Sequence, residues 1–234
     1  MVKATVLVPA AGTGSRMGGA VSKQYLELAG KPLLAHTLLQ FESHPLIENI
    51  YLIVPAGDIS FCQQQIVTRY CCNKVIRIVA GGDSRQNSVC NGLDAVVLDG
   101  FDQPERPILI HDGARPLFDC RHLEALIAAV VNTGAATIGV PVKDTIKQVE
   151  NNIITASPER SKLWQVQTPQ GFQYQLLQRA FVEAAADGFI ATDDASLVTR
   201  LGHAVQMLKG DYSNIKVTTP EDIPIALALM ERAK

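Results

Sequence analysis

A short apolar strand that leads into a glycine-rich, cationic loop constrains this chain more than any other feature. Residues 5–8 are apolar or β-branched, which predicts a buried strand, and Pro9 should end it because proline donates no ladder hydrogen bond. Glycine lets backbone N–H groups approach a ligand closely, and a cationic loop that follows a strand typically binds an anion, most often phosphate. The loop residues concerned are Gly12, Gly14, Gly18 and Gly19, with the cations Arg16 and Lys23.

The loop alone leaves several classes of protein open. The spacing of Gly12, Gly14 and Gly18 also fits a dinucleotide-binding loop, so an oxidoreductase that uses NAD(P) is one alternative. An ordinary turn with solvated cations is another. The P-loop of NTPases is excluded, because no Gly-Lys-Ser/Thr sequence closes the loop.

Composition limits the binding partners and the cellular compartment expected for this chain. The chain has 234 residues, 47% of them hydrophobic, and a net charge of −2. This length predicts one large α/β domain over residues 1–234, and the charge argues against nucleic acid or an anionic membrane as a partner. No apolar run approaches the roughly 20 residues of a membrane span, and the start of the chain does not look like a signal peptide. The five cysteines match no zinc pattern and predict a reduced, cytoplasmic protein.

Apolar runs alternate with segments of helical periodicity, which predicts a mainly parallel sheet covered by helices on both faces. We expect Pro32 in the first turn of one helix and Asp58 as the N-cap of another. The predicted strands are 5–8, 50–54, 75–80, 107–110, 135–140 and 205–208. The predicted helices are 31–43, 58–69, 117–132 and 174–186, with a short capped helix after Thr192 and a last one opened by residues 220–222.

Residues 143–155 break this alternation. Two short β-branched runs flank Asn151-Asn152, a pair that suits a two-residue hairpin turn. An isolated hairpin is marginally stable in water, so its apolar side chains should pack on something. We interpret residues 141–163 as a protruding arm that embraces a second subunit; packing on its own domain is the alternative. The apolar residues are Ile146, Val149, Ile153 and Ile154.

Three further segments place polar residues where ligand sites form. Residues 81–88 make a second glycine loop with Asp83 or Ser84 as a helix cap, which fits either an ordinary turn or a second wall of a nucleotide pocket. Asp112 follows a buried strand, and a buried carboxylate costs several kcal/mol unless it is paired or metal-bound. Lys216 stands alone near the end of the chain, where a lysine is ordinarily solvated.

These segments together resemble the nucleotidyltransferases that join a nucleoside monophosphate to a phosphorylated small molecule. More narrowly, they resemble the 2-C-methyl-D-erythritol 4-phosphate cytidylyltransferase family, and the likeness extends over nearly the whole chain. One departure is Ser22, where the family usually has proline before the lysine. The segments that carry the likeness are Pro-Ala-Ala-Gly-x-Gly-x-Arg-Met with Lys-Gln-Tyr, Gly-Gly-x-x-Arg-x-x-Ser-Val, His-Asp-Gly-Ala-Arg-Pro, Thr-Pro-Gln and Asn-Ile-Lys-Val-Thr.

The resemblance implies a Rossmann-like fold of the nucleotide-diphospho-sugar transferase type and a homodimer formed through the arm. It implies Mg²⁺ as cofactor, with Asp112 as the candidate protein ligand. Catalytic roles are implied for Arg16, Lys23, Arg160 and Lys216, with Arg160 acting in the partner's site. Nucleotide binding is implied for Pro9, Ala10, Ala11, Gly12, Gly14, Gly82, Asp83, Ser88 and Asp112. Acceptor binding is implied for Asp112, Arg115, Thr145, Arg160, Thr168 and Lys216.

The implied reaction joins CTP to 2-C-methyl-D-erythritol 4-phosphate and releases pyrophosphate. The motifs leave ribitol 5-phosphate open as an alternative acceptor. An oxidoreductase is disfavoured, because its Tyr-x-x-x-Lys match at Tyr70 and Lys74 comes before the third strand and no acidic residue ends the second. A catalytically silent nucleotide-binding module is disfavoured by the retention of the cations and of Asp112.

Overall fold

A seven-stranded sheet, seen in a computed structural model that describes residues 2–12 and 22–232, organises the chain. The strand order within this part is β11-β7-β10-β6-β1-β4-β5. The central strand β1 pairs in parallel with both β4 and β6. The strands of this sheet are β1 (Ala4–Pro9), β4 (Ile47–Val54), β5 (Val75–Ala80), β6 (Pro107–Ile110), β7 (Ala135–Pro141), β10 (Trp164–Gln173) and β11 (Gln206–Lys209).

Helices and two small hairpins connect these strands. The helices are α1 (Leu33–Glu42), α2 (Ile59–Cys62), α3 (Arg85–Leu98), α4 (Leu123–Thr133), α5 (Tyr174–Ala186), α6 (Asp194–Arg200) and α7 (Asp222–Arg232). A 3₁₀ turn covers Lys23–Tyr25, and a π-helical stretch, Gln63–Thr68, continues α2. The hairpin strands are β2 (Glu27–Leu28), β3 (Lys31–Pro32), β8 (Gln148–Glu150) and β9 (Ile153–Ala156).

Alternate residues of the central strand β1 point into two separate apolar cores. Val6 and Val8 pack with side chains of α1 and α4 on one face of the sheet. Leu7 packs with side chains of α3 and α5 on the other face. This period of two is what a strand buried on both faces requires, so the predicted α/β sheet with helices on both faces is confirmed.

Strand β10 departs from the parallel pattern. It runs antiparallel to both of its neighbours, β6 and β7, and its register with β7 shifts between Val166 and Gln170. The resemblance to the family implies a turn at the Thr-Pro-Gln segment, and this expectation is wrong, because the segment lies within β10. Pro169 removes one ladder donor there, and the register shift accommodates it.

The hairpin at Asn151-Asn152 is confirmed. Both asparagines have left-handed backbone angles, with φ of 50° and 64°, as a two-residue hairpin turn requires. Every residue from 143 to 157 is exposed, so packing of the arm on its own domain is not seen in the described chain. The fractional exposure of Ile153 and Ile154 reaches 68% and 60%.

Several local predictions were wrong at element ends. Asp58 does not cap a helix with its side chain; its carboxylate accepts a hydrogen bond from the Tyr25 hydroxyl at 2.8 Å instead. Pro32 precedes α1 rather than lying in its first turn. The helix predicted from residue 117 begins as a 3₁₀ turn at Cys120, after a loop that follows the site. Residues 214–218, which carry Lys216, form an irregular segment held to the site by the hydrogen bond from Val217 N to Ala114 O.

None of the helices in residues 2–12 and 22–232 is both long enough and apolar enough to cross a membrane.

Candidate active site

Two cavities meet at the carboxyl-terminal edge of the sheet, where parallel α/β sheets form ligand sites. The first, which we call the glycine cavity, has a volume of about 570 Å³ and lies between the ends of β1, β5 and β6. The second, the threonine cavity, has a volume of about 430 Å³ and lies against β10 and the start of α6. Among the described residues, three charged side chains line both cavities: Arg85, Asp112 and Lys216.

The glycine cavity collects the described residues for which a nucleotide role was predicted. Those that line it are Pro9, Ala10, Ala11, Gly12, Gly82, Asp83, Ser88 and Asp112. Gly14 and Arg16 lie outside the described residues, and Lys23 is described only as part of its 3₁₀ turn. The first glycine loop therefore contributes its described backbone to the cavity that the sequence predicted.

Two loop segments approach each other closely in this cavity. A Cβ on Gly81 would lie 2.3 Å from Cβ of Ala11, which is too close for any other residue to fit. The turn then enters α3 through Ser84, whose hydroxyl accepts the N–H of Asn87 at 3.0 Å. Ser84, rather than Asp83, is thus the helix cap, and the Ser88 hydroxyl accepts the N–H of Gly82 at 3.1 Å.

Asp112 is the charged centre of the site. Its side chain is 9% exposed and contacts three cations. Oδ2 lies 2.9 Å from Nζ of Lys216 and 3.5 Å from Nε of Arg115, and Oδ1 lies 3.3 Å from Nε of Arg85. Burial opposes ionisation, but Arg85, Lys216 and Arg115 together lower the pKa of the Asp112 carboxyl below its usual range. Asp112 is therefore a carboxylate, and its negative charge organises the surrounding cations.

Arg85 extends this network to α6. Its Nη2 donates to Oδ2 of Asp194 at 2.7 Å, and the side chain of Asp194 is only 2% exposed. Burial raises the pKa of Asp194, and the Arg85 guanidinium partly offsets that effect. The two adjacent acids therefore have different partners. Asp194 pairs with Arg85, whereas Asp193 caps α6 by accepting the N–H of Ser196.

His111 is structural and neutral. It is fully buried, and this burial lowers its pKa from the ordinary 6.5 to about 4. Nε2 of His111 lies 3.2 Å from the carbonyl of Arg115, which can only accept, so Nε2 carries the proton of the neutral ring. Nδ1 is then the acceptor for the Thr168 hydroxyl at 3.0 Å, and Oγ1 of Thr168 in turn accepts the N–H of Asp112 at 3.1 Å. The imidazole therefore holds both ends of the segment that carries Asp112 and Arg115.

Four residues predicted to bind the acceptor line the threonine cavity: Asp112, Arg115, Thr168 and Lys216. The other two do not. Thr145 and Arg160 are exposed on the arm, where Nη1 of Arg160 donates to the carbonyl of Lys143 at 3.1 Å. Their predicted roles depend on a second subunit, so the single chain leaves them as predictions.

Sequence reasoning missed the pairing of Arg85 with Asp194. Arg85 belongs to the Gly-Gly-x-x-Arg-x-x-Ser-Val segment, but no role was predicted for it. For Asp193 and Asp194, the resemblance implies only that the two acids shape the floor of the active site or favour the start of a helix. Arg85 and Asp194 are 109 positions apart in the chain. The signal that was available is a pair of adjacent acids at a helix start, of which only one can serve as the cap.

The residues present offer little to a metal ion. Within residues 2–12 and 22–232, no group of three or more His, Cys, Asp or Glu side chains is arranged to hold one. Both oxygens of Asp112 already contact cations, so a divalent ion would have to displace them. The described side chains therefore do not fit a protein-held Mg²⁺ at Asp112.

Tyr70 and Lys74, the pair that an oxidoreductase would need, lie away from both cavities. Nζ of Lys74 donates instead to the carbonyl of His44 at 2.7 Å.

Comparison with known proteins agrees with this geometry. Residues 4–232 match the model of the family described as IspD, 2-C-methyl-D-erythritol 4-phosphate cytidylyltransferase. The enzyme of that name from Geotalea uraniireducens is 48% identical over 230 residues, which cover 98% of this chain and 97% of the relative.

Solved structures are similar over the same length. A crystal structure of 4-diphosphocytidyl-2C-methyl-D-erythritol synthase has a TM-score of 0.83 at 34% identity, covering 98% of this chain and 99% of that one. The 2-C-methyl-D-erythritol 4-phosphate cytidylyltransferase of Thermus thermophilus has a TM-score of 0.80 at 31% identity, covering 98% of this chain and all of that one. With a family model spanning nearly all of its length and a relative at this identity, the chain belongs to the 2-C-methyl-D-erythritol 4-phosphate cytidylyltransferase family.

Proposed function

We propose that the chain transfers a cytidylyl group from CTP to 2-C-methyl-D-erythritol 4-phosphate and releases pyrophosphate. CTP occupies the glycine cavity, and the acceptor occupies the threonine cavity. A phosphate oxygen of the acceptor attacks the α-phosphorus of CTP, and the bond from that phosphorus to the leaving pyrophosphate breaks. The observation that carries this proposal is the junction of the two cavities at Arg85, Asp112 and Lys216.

No general base is needed for this step. A phosphate monoester has a second pKa near 6, so the acceptor is already an anionic nucleophile near neutral pH. The obstacle is repulsion between two polyanions, which cations and fixed geometry overcome. The site suits this task, because the carboxylate of Asp112 is paired with Arg85, Arg115 and Lys216.

Lys216 and Arg115 are suited to the acceptor phosphate. The side chain of Lys216 is 36% exposed and lies at the wall that both cavities share, while Arg115 lines only the threonine cavity. Both cations contact the same oxygen of Asp112, so that an incoming phosphate would meet two donors held side by side. Arg16 and Lys23 of the first loop would neutralise the triphosphate of CTP.

We propose that Mg²⁺ binds together with the triphosphate of CTP. Magnesium commonly binds through phosphate oxygens and retained waters, with few protein ligands. The cationic environment of Asp112 favours this arrangement over direct coordination by its carboxylate.

We also infer that two chains associate through the arm. An exposed hairpin that carries Ile146, Val149, Ile153 and Ile154 presents apolar surface that a second subunit would cover. Thr145 and Arg160 lie on the same arm, so association would bring both residues to a partner's threonine cavity. Arg160 would then add a cation to the acceptor phosphate.

The acceptor is tested by pyrophosphate release in the presence of Mg²⁺ and CTP, with 2-C-methyl-D-erythritol 4-phosphate or ribitol 5-phosphate. Release with the first alone supports the proposal. Release with ribitol 5-phosphate alone would assign the other acceptor. Release with neither, while CTP still binds, would identify a nucleotide-binding module without this activity.

Action across the interface is tested by mixing two variants. Lys23→Ala and Arg160→Ala should each be inactive alone, whereas a mixed dimer rebuilds one intact site and regains activity. Subunit exchange is verified separately with labelled chains. Exchange without any return of activity would exclude Arg160 from the partner's site.

A further inference from the structure

The junction of the two cavities contains an arginine that is held by a carboxylate from outside both of them. Arg85 projects from the first turn of α3 and lines both cavities, with its side chain 31% exposed. Asp194 is buried at the start of α6 and is absent from the described lining of either cavity. Asp194 therefore contacts the site through Arg85, at 2.7 Å.

The capping role does not account for Asp194. Asp193 supplies the N-cap of α6 through its bonds to Ser196, and Gln170 donates to the same Asp193 side chain at 2.8 Å. A helix start of this kind needs only one side-chain cap. A second, fully buried carboxylate is costly unless it serves as a partner for a charge, and here that charge is the Arg85 guanidinium.

Arg85 in turn determines which oxygen of Asp112 is left to Lys216 and Arg115. Its Nε faces Oδ1, while Lys216 and Arg115 share Oδ2. Without Arg85, a buried carboxylate oxygen would lose its cation at the point where two phosphate groups must meet. That oxygen would then either repel the acceptor phosphate or draw Lys216 and Arg115 toward itself.

We propose that Arg85 and Asp194 are positioning residues for the acceptor phosphate: Asp194 fixes Arg85, and Arg85 holds Asp112 so that Lys216 and Arg115 face the acceptor. This inference rests on the proposed function. It adds Arg85, for which the sequence suggested no role, and it gives Asp194 a specific task.

The test compares Arg85→Gln, Asp194→Asn and the double variant with the unaltered protein, by steady-state pyrophosphate release. Arg85→Gln should lower kcat/KM for the acceptor about a hundredfold, which is typical for loss of one partner of a buried charge pair. Asp194→Asn should lower it about tenfold, because Arg85 remains but is less firmly held. The KM for CTP should change far less than the KM for the acceptor in both variants.

The double variant decides whether Asp194 acts through Arg85. It should be no worse than Arg85→Gln alone, since Asp194 has nothing left to position. A loss in the double variant equal to the product of the two single losses would overturn the inference, as would equal changes in KM for CTP and for the acceptor.

Three further measurements separate positioning from folding and from the activity itself. Asp99→Asn breaks a surface pair of a carboxylate with Arg77, remote from both cavities, and should leave the kinetics unchanged. Arg85→Lys keeps the positive charge and restores one ionic contact, so it should recover about tenfold of the activity lost in Arg85→Gln. This second variant carries the test if Arg85→Gln folds poorly. If the unaltered protein releases pyrophosphate with neither acceptor, the proposed function fails, and calorimetric titration with inorganic phosphate then tests the positioning role. Equal phosphate affinity in Arg85→Gln and the unaltered protein would overturn it.

Discussion

Acidification should destabilise this protein through His111. The imidazole is fully buried beside Phe41 and Phe118, with ring centroids 5.0 and 5.4 Å away. Burial lowers its pKa to about 4, whereas an unfolded chain has the ordinary 6.5. The unfolded state therefore binds a proton at a higher pH than the folded state does, and stability falls as the pH drops from 6.5 toward 4.

The size of this effect follows from the two pKa values. At pH 5, the preferential protonation of the unfolded chain removes about 2 kcal/mol from the free energy of unfolding, relative to pH 7.5. The full loss, reached below pH 4, is about 3 kcal/mol. A marginally stable domain has only about 5–15 kcal/mol in total, so the loss is measurable.

Urea unfolding of the unaltered chain and of His111→Gln at pH 7.5 and pH 5 provides the assay. Glutamine can keep the hydrogen bond to the carbonyl of Arg115 but does not titrate, so His111→Gln should be less stable at pH 7.5 and lose about 2 kcal/mol less on acidification. His36 and His44, whose pKa values burial also lowers, are present in both proteins and cancel in the difference. An identical pH dependence in the two proteins would refute the reasoning.

Three further predictions concern the loops. Gly81→Ala should either abolish CTP binding or lower the free energy of unfolding by about 1–3 kcal/mol, because the added Cβ would lie 2.3 Å from Cβ of Ala11. Gly57→Ala, where nothing lies within 4 Å of the added Cβ, is the control for both the CTP-binding and the unfolding measurement. Ser84→Ala should lower the free energy of unfolding by about 1 kcal/mol through loss of the cap of α3, and an unchanged urea midpoint would contradict this. Asn152→Val should speed proteolysis within residues 148–156, since valine is strained at φ 64°, whereas Asn152→Gly should not.

Most of the fold could be predicted because its elements carry local patterns. Strand β5 was predicted with its observed bounds, Val75–Ala80, and α5 likewise at Tyr174–Ala186. In α5 the apolar spacing marks the buried face, which includes Leu177, Phe181 and Ala184. Element ends were less predictable: Asp58 looks like a helix cap in sequence, but its carboxylate finds a better partner in the Tyr25 hydroxyl, 33 positions away.

The candidate site was predictable only in part. Motifs indicated Asp112, Thr168 and Lys216, which the fold brings together although they come from three distant segments. The pair of Arg85 with Asp194 has no local signature, because neither residue type nor spacing says which acid an arginine will meet. The roles of Arg160 and Thr145 depend on a second chain, which no pattern within one chain can place.

The antiparallel strand β10 explains how one sheet edge forms two adjoining cavities. In a purely parallel sheet, the side chains at this edge come from strand ends and the loops that follow them. Here β10 enters from the opposite direction and leaves its register with β7 between Val166 and Gln170. That irregularity places the Thr168 hydroxyl against both Asp112 and His111, while the carbonyl of Thr168 accepts a hydrogen bond from Asn214, two residues before Lys216. This polar, proline-containing stretch of β10 therefore joins the segment that carries Lys216 to the central carboxylate Asp112.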